Sequence, residues 1–214
     1  GNSESPDIYH DIETRKNSIS FRSNMARLAD QLILEGKKEK AKNILDLAMQ
    51  KMPLDYFGYY SLLVPFVDAY YRLDDTVSAQ NLAQKVAFKY RDELEYFGSL
   101  TRNEQYMMGE EIITQVERYR TLMEAVLVHE DKMLLRTEVD AFIGAVAPFK
   151  SLYGDYDYYT SLTVFVEGYY TAGQSTKAES LVESIVTQYE ARFAMIAQLS
   201  QNNKNIFIDR IKGE

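Results

Sequence analysis

Four pairs of adjacent tyrosines, Tyr59-Tyr60, Tyr70-Tyr71, Tyr158-Tyr159 and Tyr169-Tyr170, are the side chains of this sequence best suited to recognition chemistry. Within each half the pairs are eleven residues apart. Eleven residues make about three helical turns, so on an unbroken helix the first tyrosine of each pair lies over its counterpart. Tyr59 and Tyr70 share a stripe with Leu63 and Phe66 and read as core, their hydroxyls reaching a polar partner at the rim. Tyr60 and Tyr71 lie about 100° away, at the edge of that stripe. An edge tyrosine has two uses. It can pack against the next helix, which is the plainer reading. It can also stack on a sugar or anchor a peptide.

The other reactive groups are sparse. The two histidines, His10 and His129, have no histidine at ligand spacing, so no metal site is expected. There is no cysteine, hence no disulfide, thiolate zinc site or cysteine nucleophile. No Gly-x-Ser-x-Gly turn presents a serine, and no glycine-rich loop cradles a phosphate. The run Asp155-Tyr156-Asp157 has the start of a calcium loop, but its sixth position is Thr160, not glycine, and its twelfth is Val166, not glutamate. A turn whose aspartates cap the next helix is the better reading. Glu110-Glu111 and Asp74-Asp75 are adjacent carboxylates that point apart, whereas acid–base catalysis needs two held across a cleft. No catalytic residue and no cofactor is expected.

The elements that position the tyrosines follow from an internal repeat. Residues 59–90, moved by 99 positions onto 158–189, are identical at ten places without a gap: Tyr59, Tyr60, Leu63, Phe66, Val67, Tyr70, Tyr71, Ala79, Leu82 and Tyr90. Composition alone gives about two. Asp68 with Glu167, Thr76 with Ser175 and Val86 with Ile185 are like-for-like pairs. Repeats are settled before anything else because they fix the architecture.

Apolar residues recur at helical spacing throughout. Met25, Leu28, Ala29, Leu32 and Ile33 form one face, ended near Gly36; Ala41, Ile44, Leu45, Ala48 and Met49 form the next, ended by Pro53. A second hairpin is expected over 59–73 and 76–96, with the stripe Ala79, Leu82, Ala83, Val86, Tyr90 and Leu94. Pro65 falls on the polar arc with Ser61, Asp68 and Arg72, which predicts a kinked but continuous helix. In the second half, Thr101 and Glu104 form a capping box that opens a helix to about His129, with Ile112, Val116, Tyr119, Met123 and Val126 in line. A helix to Ala147, a loop over 150–157, helices over 158–172 and 176–199, and a short helix over 205–211 complete the chain. The expected organisation is a lead-in (1–17), one pair of hairpins (18–100) and a second pair (101–211). Whether the halves make one superhelix or two lobes stays open. No apolar run reaches the roughly 18 residues of a membrane span. The net charge of −8 argues against nucleic acid and anionic lipid.

On these residues the chain resembles a divergent tetratricopeptide array. Counted from Arg22, the pattern of about 34 residues places Leu28, Ala29, Ala41, Ala48 and Pro53 on its leucine, small, alanine and proline positions. Counted from Tyr60, it keeps Tyr70 and Ala79 but has Val67 and Arg91 where a small residue and proline belong. A second resemblance rests on Phe21-Arg22-Ser23-Asn24-Met25-Ala26-Arg27-Leu28-Ala29, Glu35-Gly36-Lys37, Ala41, Val67-Asp68-Ala69-Tyr70-Tyr71 and 90–100. This looks like the C-terminal soluble tail of a bacterial polytopic membrane-protein family whose membrane region is similar to protein O-mannosyltransferases. That likeness implies chemistry in an upstream membrane region, and here a helical module appended on the periplasmic side.

The tetratricopeptide resemblance implies a groove lined by the first helix of each hairpin. On this sequence it would present Val64, Asp68, Tyr71 and Arg72, with Thr163, Glu167, Tyr170 and Thr171 in the other copy. The edge tyrosines Tyr60 and Tyr159 adjoin them. The expectation is therefore an all-α, internally duplicated superhelix of stacked hairpins that binds a protein or peptide without catalysis. A glycan-binding module using Tyr60, Tyr71, Tyr159 and Tyr170 is the alternative, and a soluble enzyme a remote one.

Overall fold

The computed structural model describes residues 4–5 and 7–198, and no strand occurs among them. The helix expected over 205–211 and the polar run 201–204 lie outside the described residues. The order is α1 (Ile12–Leu34), α2 (Lys38–Lys51), α3 (Leu54–Phe57), a 3-10 turn (Tyr60–Leu63), α4 (Val64–Arg72), α5 (Thr76–Ser99), α6 (Arg102–Met107), α7 (Gly109–Val128) and α8 (Lys132–Val146). A 3-10 turn (Ala147–Phe149), α9 (Lys150–Tyr153), α10 (Asp155–Ser161), α11 (Val164–Thr171) and α12 (Ser175–Ala197) follow.

Long helices pair as α1–α2, α4–α5, α7–α8 and α11–α12, and each pair stacks on the one before. All four pairs reverse through the same closure. The residues at the turn, Gly36, Asp74, Glu130 and Gly173, have φ of 72°, 64°, 50° and 73°. In each case the next N–H reaches back five residues: Lys37 to Leu32, Asp75 to Tyr70, Asp131 to Val126 and Gln174 to Tyr169. This left-handed C-terminal cap satisfies carbonyls that a helix end otherwise orphans. Glycine adopts it freely, whereas a side chain at Asp74 or Glu130 costs about 1–2 kcal/mol.

The apolar stripes of α2, α5 and α7 face inward, whereas the face expected on α1 does not hold: Ala29 is buried, Met25, Leu32 and Ile33 are half-buried and Leu28 is exposed. Ala41, Leu45 and Ala48, then Ala79, Leu82, Ala83, Val86, Tyr90 and Leu94, then Ile112, Val116, Tyr119, Met123 and Val126 are all buried. The capping box is present: Glu104 Oε2 accepts from Thr101 N at 2.9 Å, and Thr101 Oγ1 accepts from Glu104 N at 3.4 Å.

Several boundaries differ from expectation. Helix α1 begins at Ile12, capped by Asp11, whose Oδ1 accepts from Thr14 N at 2.6 Å, so 12–17 of the expected lead-in is helical. The helix read through 101–129 breaks at Met108, before Gly109. The expected loop over 150–157 is largely helix α9 and the start of α10.

The continuous helix around Pro65 is also not found. Tyr59 has φ 48°, a 3-10 turn follows, and α4 starts at Val64 with Pro65 in its first turn. There the missing proline N–H breaks no hydrogen bond. Pro65 is exposed, as its polar arc required. The second half breaks at the matching place, between Ser161 and Val164, although Val164 stands where Pro65 does. The break is therefore not made by proline. One consequence is that Tyr59 lies off the helix and half-buried, instead of in the core above Tyr70.

Candidate functional site

The ten residues expected to line a groove fall on two matching surfaces with different surroundings. In the first half, α4 lies between α1 and α7, and its polar side chains are engaged by both. Arg72 Nη1 donates to Asp30 of α1 and lies 3.5 Å from Asp68. Asp68 Oδ1 lies 2.8 Å from His129 Nε2, at the end of α7. The His129 ring stacks on Tyr71 with centroids 4.6 Å apart. The Tyr71 hydroxyl donates to Asp131 Oδ2 at 2.8 Å, and Gln80 Nε2 donates to the same oxygen at 2.7 Å. The other oxygen of Asp131 caps α8, accepting from Leu134 N at 3.0 Å. Val64 is half-buried against the core. Tyr60 sets its ring edge-on to Tyr90 at 4.9 Å. Asp68, Tyr71 and Arg72, with Asp30, Gln80, His129 and Asp131, form a polar seam that ties α1, α4, α5 and the α7–α8 turn together.

In the second half the same positions are more open. Thr163, Glu167 and Tyr170 are exposed; Thr171 and Tyr159 are half-buried. Tyr159 packs edge-on to Tyr158 at 5.2 Å, and Lys150 Nζ lies 4.7 Å from its ring centroid. Next to Tyr170 runs α12. Moved by 99 positions, Val182, Val186 and Phe193 of α12 correspond to Ala83, Ala87 and Leu94 of α5. The α5 residues are about 1% exposed, beneath α7 and α8, whereas the α12 residues are 37%, 47% and 63% exposed. Together α11 and α12 present an apolar strip edged by Glu167 and Tyr170.

The two core tyrosines behave alike. Tyr70 donates to Asp46 at 2.8 Å and Tyr169 to Asp140 at 2.7 Å, each at the rim of its hairpin. Lys42 and Lys177 close over them, with ammonium-to-centroid distances of 5.5 and 5.9 Å. The hydrogen bond from Lys42 holds the Asp75 carboxyl below its ordinary range.

Burial first, and then a nearby carboxylate, raises the phenol pKa values of Tyr60, Tyr70, Tyr71 and Tyr119; the carboxylates are Glu93, Asp46, Asp131 and Glu138. A phenol whose folded pKa exceeds the unfolded value of about 10 stabilises the fold fully below that pH. The contribution is lost as pH rises through the folded value. Alkaline titration is expected to unfold the chain cooperatively above about pH 10. Tyrosinate absorbance from the buried rings should appear with the loss of helical circular dichroism. Smooth ionisation of all tyrosines while the helices persist would show that these phenols are open to water.

Among the described residues no group of three or more histidine, aspartate and glutamate side chains is arranged to hold a metal. Asp68, Tyr71 and Arg72 all lie on α4, and their partners Asp30, Gln80, His129 and Asp131 carry no sign in the sequence. The α12 strip does have a signal there, in the 99-residue offset that maps Leu94 onto Phe193. Comparison with protein-family models finds no match, and neither does comparison with curated proteins or with solved structures.

Proposed function

We propose that this chain is a non-catalytic protein-interaction module, a tetratricopeptide-like array of duplicated hairpins that docks a helical partner on the α11–α12 face. One observation carries the reading. The surface of α4–α5 is sealed by the hairpin that follows it, while the matching surface of α11–α12 is open, apolar and bordered by a carboxylate and a phenol. Apolar strips of this kind, rimmed by polar groups, mark interaction sites. The chemistry at the closed surface describes the partner: an apolar helix stripe, with a group near its end that can pair with Glu167 as His129 pairs with Asp68.

The duplication is supported by the four identical turn closures and by the paired Tyr70–Asp46 and Tyr169–Asp140 contacts. Attachment to a glycosyltransferase-like membrane protein on the periplasmic side rests on the sequence resemblance alone. Among the described residues no helix is long and apolar enough to cross a membrane, so such attachment would come from another segment. The glycan alternative is weakened by geometry, because the rings of Tyr60, Tyr71 and Tyr159 are already covered by Tyr90, His129 and Tyr158.

The test compares Val186→Glu with Pro65→Glu, an exposed site away from the strip, as immobilised baits in detergent-solubilised envelope extract. Val186→Glu is expected to lose captured partners at least about tenfold, since a carboxylate would be buried against apolar surface. Pro65→Glu should keep them. Equal capture by both variants, with unchanged circular dichroism, sinks the reading.

A further inference from the structure

The partner's chemistry can be taken further, on the reading of α11–α12 as a docking face, because the opposite end of the array carries the complementary half of the same junction. An offset of 94 residues lays α8 on α2. Lys132 falls on Lys38 at the helix start, the turn residue Glu130 on Gly36, and the phenol acceptor Asp140 on Asp46. The buried Leu135, Val139 and Phe142 fall on the buried Ala41, Leu45 and Ala48. The same offset lays α7 on α1. Their ends, Val128 and Leu34, coincide, and the inward Ile112, Val116 and Met123 match the buried Ser18, Arg22 and Ala29.

What differs is the outer stripe. Gln115, Tyr119, Leu122 and Val126 of α7 are buried at the junction with the preceding hairpin. Their counterparts on α1 are Phe21, Met25, Leu28 and Leu32. Phe21 and Leu28 are 62% and 47% exposed, and Met25 and Leu32 are half-buried. Helix α1 thus shows to solvent the stripe that α7 buries on α5. Helix α12 shows the stripe that α5 buries under α7 and α8.

The internal junction carries over in part: the counterpart of His129 is Glu35, which cannot pair with Glu167, and the cation beside it is Lys37, the counterpart of Asp131. Leu94 shares one crevice with Ala141 and Ala145 of α8. The counterparts are Phe193 on α12 and Leu47 and Lys51 on α2. The α1–α2 face holds an apolar cleft of about 420 Å³ lined by Phe21, Met25, Leu47, Lys51, Met52 and Phe57, among others. The offsets thus set a bulkier Phe193 against an open cleft in the place where Leu94 meets alanines. Charge agrees as well: residues 12–51 carry nine Lys and Arg against five Asp and Glu, while residues 164–197 carry two against four.

We propose that the occupant of the α11–α12 face is a second copy of this chain, docked head to tail through its α1–α2 face, with Phe193 of one copy in the cleft beside Phe21 and Leu47 of the next. The two faces are different, so the contact is heterologous and leaves one free face at each end of a pair.

Sedimentation of the purified chain with two variants tests this. The weight-average mass of the unsubstituted chain should rise with concentration toward and past twice that of one chain. Phe193→Glu blocks one face and Phe21→Glu the other, so each alone should stay monomeric, with association weakened at least about tenfold. An equimolar mixture of the two variants should form a discrete dimer and nothing larger, because each supplies the face the other lacks. Circular dichroism and thermal melting establish that both are folded. A chain that stays monomeric at all concentrations, with no dimer in the mixture, overturns the proposal. So does continued dimerisation by Phe21→Glu alone, which would mean a symmetric contact through α12. If the chain is monomeric but Val186→Glu still abolishes envelope capture, the second copy is wrong and the docking face stands. If capture is also insensitive to Val186→Glu, both fail.

Discussion

Replacing Tyr119 with alanine is expected to lower the unfolding free energy by about 3–5 kcal/mol, the range for truncating a buried large aromatic. Tyr119 is fully buried and sits mid-way along a column of rings that crosses the stacked hairpins. Tyr60 contacts Tyr90 at 4.9 Å, Tyr90 contacts Tyr119 at 5.7 Å, Tyr119 contacts Phe142 at 5.0 Å, and Phe142 contacts Phe165 at 4.5 Å. The column runs from the turn before α4, through α5, α7 and α8, to α11, so Tyr119 joins the first half of the chain to the second. Its hydroxyl also has structural partners. It donates to Glu138 at 3.2 Å and accepts from Arg91 Nη1 at 3.1 Å, beside the direct Arg91–Glu138 pair.

The two roles separate by substitution. Tyr119→Phe keeps the column and removes the hydroxyl, so it should cost about 1 kcal/mol. Tyr119→Ala removes both and leaves a cavity between the halves. Urea unfolding measures each. A smaller denaturant slope in the alanine variant would report halves that no longer unfold together. A loss below about 1 kcal/mol for alanine would mean that the ring column does not hold the halves together.

Periodicity carried most of the fold. The stripes on α2, α5 and α7 recur at three and four residues, a spacing that only a helix can turn to one side. The turn at Gly36 and the turn at Gly173 were legible because glycine adopts positive φ without strain. The turn at Glu130 was not, since glutamate gives no local sign of it. The break before α4 has no local sign for a related reason. Pro65 stands at the break in the first half, yet the second half breaks with valine in its place, so the cause lies in packing beyond that residue. The candidate site was half legible. Helix geometry put Asp68, Tyr71 and Arg72 on one face, but whether that face is open depends on the next hairpin. For α4 the next hairpin brings His129 and Asp131; α11 keeps Glu167 and Tyr170 in solvent.

Arg22 is the residue whose type gave least warning of its place, and Arg22→Ala is expected to destabilise the chain by about 2–4 kcal/mol. Its side chain is fully buried in α1. It has no carboxylate partner among its hydrogen bonds. Nη2 donates to the carbonyl of Met52 at 2.7 Å, and Nη1 donates to the carbonyl of Gly58. Met52 caps the C-terminus of α2 and Gly58 that of α3. The cation therefore sits where helix ends gather unpaired carbonyls and partial negative charge. Burial pushes its pKa down to about 10, which leaves it charged at neutral pH.

Two effects oppose each other on removal. The chain is relieved of a desolvated charge, but two carbonyls lose charge-assisted donors, each worth about 1.5–3 kcal/mol. Alanine adds a cavity and should be the worst variant. Arg22→Met fills most of the volume without donors, so its loss isolates the hydrogen bonds and should be smaller. The expected order in thermal or urea unfolding is wild type, then methionine, then alanine. Methionine equal to or better than wild type would show that desolvation outweighs both hydrogen bonds, and that Arg22 is tolerated at this junction without holding α1 to the ends of α2 and α3.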